Sequence, residues 1–108
     1  MTMQYRQGDV LLIPCEALPS WARPVAPTGD DVILARGEVT GHAHTMLAER
    51  VCYFREDGSG RGFIQVHGGD PVALQHQEHA PMQVEPGLYE VRRQREYRPR
   101  TAASLIAD

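Results

Sequence analysis

An all-β fold, a small barrel or sandwich, is what this sequence predicts, and three observations predict it. Ten glycines and eight prolines run along the whole length of the 108 residues and cut them into short pieces. Those pieces are apolar and rich in β-branched and aromatic residues, as strands are. Strong turn sequences separate them: Pro24-Val-Ala-Pro-Thr-Gly-Asp30, Glu56-Asp-Gly-Ser-Gly60, Gly68-Gly-Asp-Pro71 and Glu85-Pro-Gly87. Short strands at this spacing build barrels and sandwiches.

The pattern places strands over residues 9–14, 31–35, 39–46, 51–54, 62–67, 71–75 and 88–97. The first has the apolar core Val10-Leu-Leu-Ile13. Residues 16–28 are rich in Pro and Ala and read as a connection, with one helical turn over 18–22 and Trp21 as a lid on the core. Asp57-Gly58 favours a tight hairpin, because glycine accepts a positive φ there. After Pro99, the good helix formers of residues 99–108 predict a short C-terminal helix with Leu105 and Ile106 docked on the sheet.

Size and composition fit one domain spanning residues 1–108, without repeats. Hydrophobic residues make up 42% and charged residues 23%, a globular balance. The net charge of -3 gives no general attraction to nucleic acid or to an anionic membrane. No apolar stretch is long enough to span a bilayer, and the start lacks the order of a signal peptide, so the expected location is cytoplasmic. All eleven basic residues are arginine, which removes Schiff-base chemistry by lysine. Cys15 and Cys52 belong to no CxxC pair and read as small apolar thiols, with a disulfide or a thiolate ligand as open alternatives.

The chemistry lies in the histidines. Four of the five form two pairs, His42/His44 and His76/His79. In a strand, residues two apart share a face, so His42 and His44 present two imidazoles side by side. A spacing of three shares a face in a helical turn, and a bulge or strand end also brings both inward. Three or four neutral imidazoles with a carboxylate suit one divalent transition metal: Zn, Fe, Ni, Mn or Cu. Glu49 and Glu78 are the candidate carboxylates, one as ligand or as the group that orients an imidazole. His67, unpaired and ahead of a Gly-Gly turn, reads as an exposed loop residue.

The spacing Gly37-x4-His42-x-His44-x4-Glu49-x8-Gly58 resembles the first motif of the cupins, with glycine spacings that differ by one and by two. Gly69-Asp-Pro71 before His76 resembles their second motif loosely. This resemblance covers residues 37–79 and implies a small β-barrel with His42, His44, Glu49 and His76 as ligands. The chain is also similar to a set of uncharacterised small bacterial proteins through Gln7-Gly-Asp-Val-Leu-Leu-Ile-Pro14, Gly37-Glu-Val-Thr-Gly-His-Ala-His44, His76-Gln-Glu-His79 and Pro86-Gly-Leu-Tyr-Glu-Val-Arg-Arg-Gln-Arg-Glu-Tyr97. That likeness implies no activity.

The first functional expectation is a non-catalytic metal-binding β-domain, a structural, sensor or assembly module. The alternative is a cupin-like metal-dependent enzyme acting on a small molecule, with His79 as fourth ligand or general base. A third reading uses the Arg-rich stretch of residues 91–100 to hold phosphate or RNA, against a solvated strand whose arginines pair with acids such as Glu90 and Glu96. Nucleic acid is not expected, because the chain lacks a basic excess. Edge strands in a small sheet allow a homodimer.

Overall fold

A computed structural model describes residues 3–37, 41–56 and 61–94. Its ten strands are β1 (Tyr5–Gln7), β2 (Val10–Pro14), β3 (Arg23–Val25), β4 (Asp31–Arg36), β5 (Ala43–Leu47), β6 (Val51–Arg55), β7 (Gly62–Val66), β8 (Val72–Leu74), β9 (Met82–Val84) and β10 (Gly87–Arg93). Alternation sets their faces: Val10 and Leu12 of β2 point inward, as do Val51 and Tyr53 of β6 and Tyr89 and Val91 of β10. The all-β expectation holds throughout the described residues.

The strands do not close into a barrel. They form a six-stranded antiparallel sheet in the order β1-β2-β10-β7-β6-β3 and two separate pairs, β4-β5 and β8-β9. A reciprocal pair of backbone bonds, each 2.9 Å between Thr45 and Gln75, ties β5 to the end of β8. One apolar cluster joins all three sheets, from Leu12, Ile64 and Tyr89 to Leu34, Met46, Leu74 and Val84. In β4 the register shifts between Ile33 and Ala35, so Leu34 and Ala35 both turn inward.

Three short strands escape the sequence pattern. β1 and β9 have three residues each, too few for alternation to register. β3 falls within a stretch that reads as a turn, because it contains Pro24. It is one of the two edge strands of the large sheet, where a residue lacking N–H is tolerated, and Pro24 stands opposite Phe54. Residues 18–22 form no helical turn; a single bond of 3.1 Å from Ala22 N–H to Pro19 C=O closes a turn instead. Trp21 is a lid, but over Phe63 rather than over the main core. Its ring is 6.2 Å from that of Phe63, with the Arg61 guanidinium 5.6 Å away, and it stays 43% exposed.

The strand expected over 39–46 begins only at Ala43, and residues 38–40 lie outside the described residues. The hairpin tip at 57–60, the end of the strand expected over 88–97, and the expected C-terminal helix also lie outside them. No helix among the described residues is long and apolar enough to cross a membrane.

Candidate metal centre

Three connections meet at one end of the three sheets. The β1–β2 turn supplies Gln7, Gly8 and Asp9. The approach to β5 and its second residue supply His42 and His44. The loop between β8 and β9 supplies His76, Glu78 and His79. The rings converge: centroids lie 4.4 Å apart for His44–His76, 4.6 Å for His76–His79, 5.6 Å for His42–His76 and 6.1 Å for His44–His79. The His76/His79 pair takes the strand-end route inward, since neither residue lies in a helix.

His44 forms the floor, with no solvent exposure. Its Nδ1 lies 2.9 Å from Gln7 Oε1. Gln7 Nε2 donates to the carbonyls of Leu74 (2.8 Å) and Ala80 (2.9 Å), which fixes the amide so that its oxygen faces the ring. His44 Nδ1 must therefore carry the proton, and Nε2 keeps its lone pair. Burial above all, then neighbouring His76, lowers the His44 pKa to about 4, against the charge of Asp9 and its polar contact with the ring. The ring is neutral at physiological pH.

Asp9, 22% exposed, lies opposite that lone pair, with Oδ1 3.3 Å from His44 Nε2. Its other oxygen receives Arg93 Nε at 3.0 Å and Arg93 Nη2 at 2.9 Å, and Gln94 N–H holds its backbone carbonyl at 2.7 Å. Asp9 Oδ1, His44 Nε2 and His79 Nε2 are buried atoms without a hydrogen-bond partner. Gly8 makes room for the rings. It has φ +60°, and a Cβ on it would stand 2.6 Å from His79 Nε2 and 3.4 Å from His44 Cε1.

His76 is oriented differently. The backbone N–H of Glu78 donates to its Nδ1 at 3.0 Å, so the proton of the neutral ring sits on Nε2. His42 and Glu78 form the rim, with Nδ1 3.0 Å from Oε2 and side chains 28% and 56% exposed. Ala43 N–H donates to Gln77 Oε1 at 3.0 Å and fastens the β8–β9 loop to the start of β5. Among the described residues, no group of three or more His, Cys, Asp or Glu side chains is placed so that it could hold a metal ion as it stands.

The remaining candidates lie elsewhere. Glu49 is exposed in the turn after β5, whose rise of about 3.3 Å per residue carries it away from His44. The cupin-like ligand set is therefore not assembled as its spacing implies. His67 is exposed, as expected, with Nε2 3.3 Å from Cys52 Sγ. Both cysteines are free, and Cys52 is exposed rather than packed as an apolar residue. Cys15, Leu88, Gln65 and Cys52 lie in one row across four strands. Strand spacing separates the two thiols by about 14 Å, beyond disulfide reach. Against the opposing effect of burial, Arg92 of the Arg-rich stretch and Arg61 before β7 reach Glu90 at 3.4 and 3.3 Å and hold it below the usual carboxylate range.

Asp9 and Gln7 were not among the sequence candidates. An acid after a glycine at a hairpin tip reads as turn chemistry, and no spacing rule links it to histidines more than thirty positions away. Gln7 gave no signal either, because the three residues of β1 are too few for alternation to mark its inward position.

No curated protein and no solved structure matches the chain. One family does match, over residues 6–94, a span that includes the Gln7–Asp9 turn and both histidine pairs: it is described as a domain of unknown function, DUF8820, and the chain belongs to it.

Proposed function

We propose that this protein binds one divalent transition-metal ion, with Asp9 Oδ1, His44 Nε2 and His79 Nε2 as donors. The observation that carries this reading is the pair of acceptors facing each other. A carboxylate oxygen and an imidazole lone pair, both buried and without hydrogen-bond partners, stand 3.3 Å apart. Two acceptors at that distance repel unless a cation lies between them. Donors at about 2.1 Å from a tetrahedral ion stand about 3.4 Å apart, close to the observed separation.

The two proposed ligand rings, His44 and His79, face each other with centroids 6.1 Å apart, wider than the roughly 5 Å of two imidazoles on one tetrahedral ion, so binding draws the two rings together. The Gln7 amide then plays the part of an outer partner that fixes a liganding ring, and Arg93 does the same for Asp9. Two imidazoles and a carboxylate suit Zn, Fe, Ni or Mn. The biological role is that of a binding module, in which the ion joins the β1–β2 turn, β5 and the β8–β9 loop.

Isothermal titration of chelator-treated protein with Zn(II), Ni(II) and Mn(II) tests the proposal. One ion per chain is expected, with Asp9→Asn and His79→Ala each losing affinity by at least about tenfold. Uptake by both variants equal to the parent protein would remove these residues from the site.

A further inference from the structure

Independently of the metal reading, we infer that Cys52 is a modification site that exchanges with a small disulfide, with His67 as the base that takes the thiol proton. Alternation places the pair. Val51 and Tyr53 of β6 point inward, so Cys52 points out of the large sheet. Cys52 stands opposite Gln65 of β7, and His67, two residues further on, is its diagonal neighbour on the same face. The two side chains meet there: His67 Nε2 lies 3.3 Å from Cys52 Sγ, and both residues are exposed.

Arg50 holds the base in place. Its carbonyl accepts the His67 N–H at 2.8 Å, and its Nε donates back to the His67 carbonyl at 2.7 Å. Its Nη2 donates to the Asp70 carbonyl and closes the turn that follows. Gly68, with φ +92°, lets the guanidinium lie against that turn, since a Cβ there would stand 2.6 Å from Nη2. A nucleophile, a base within reach of it and a third group that fixes the base are the parts of an activated thiol. The exchange balances. The Cys52 S–H proton passes to His67 Nε2 as Sγ attacks one sulfur of the disulfide. The new S–S bond forms as the old one breaks, and the leaving thiolate takes the proton from His67. One thiol and one disulfide yield another of each, so no further oxidant enters. Cys15 is the internal contrast: it is only partly exposed, and burial, then Glu90, pushes its thiol up against the effect of Arg61.

The test incubates the full chain with glutathione disulfide at neutral pH, follows the mixed disulfide by mass spectrometry and locates it by peptide mapping. The first adduct is expected on Cys52, formed at least about tenfold faster in the folded protein than at the same residue of the urea-unfolded chain. His67→Gln and His67→Ala are each expected to slow that reaction about tenfold or more while the urea midpoint stays where it was, because the ring is exposed and takes no part in the core. A first adduct on Cys15 overturns the inference. So does a folded-state rate at Cys52 no higher than in the unfolded chain, or a rate that both His67 variants leave unchanged.

Discussion

His44 carries the largest electrostatic perturbation in the site, and its sign gives a pH prediction. Its pKa is lowered from 6.5 to about 4 by burial first and by His76 second. The unfolded chain therefore takes up a proton near 6.5 that the folded chain refuses until about 4. Stability of the metal-free protein is complete above the higher value and falls as pH drops towards the lower one, by up to about 3 kcal/mol. Urea unfolding above and within that window measures this, and His44→Gln should flatten the dependence. Gln7→Leu tests the tautomer lock: the ring loses its acceptor, and metal affinity should fall about 10- to 100-fold in a titration. The four clustered histidines were legible in the sequence because pairing is a local pattern. Asp9 was not, because its meeting with His44 is created by the β1–β2 turn arriving beside β5. Glu49 misled for the same reason in reverse: it is near His44 along the chain and far from it along the strand.

At the level of elements, the β1–β2 turn is the most constrained. Gly8 adopts φ +60° and leaves room for the His79 ring at a distance no Cβ tolerates. Gly8→Ala therefore incurs about 1–2 kcal/mol of left-handed backbone strain and displaces the ring. Thermal unfolding should show the loss of stability, and titration a loss of metal uptake. The β5–β8 tie gives a second prediction. The amides of Thr45 and Gln75 bond each other's carbonyls at the junction of two sheets, so metal binding should slow their hydrogen exchange more than that of β6 or β7. Strands with clear alternation or apolar runs, such as β2, β6 and β7, were readable from residue order alone. β3 was hidden by Pro24, whose edge position depends on tertiary pairing, and β1 and β9 by their length.

For the whole molecule, the proposed ion is a cross-link between sheets that share a core but are not joined into a continuous barrel. An ion that binds only the folded state adds stability by mass action, about 2.7 kcal/mol at a hundredfold excess over its dissociation constant. For a chain of this size that raises Tm by roughly 10–20 °C, and chelator should reverse it. The fold class was legible because punctuation and apolar runs recur along the whole chain, whereas sheet order depends on long-range pairings such as β2 with β10. The most direct measurement of the central claim is anomalous diffraction from crystals of the metal-loaded protein, collected at the absorption edge of the ion. A single peak within coordination distance of Asp9 Oδ1, His44 Nε2 and His79 Nε2 is the predicted result. A peak elsewhere, or none with those three atoms bonded to protein groups instead, would contradict the account.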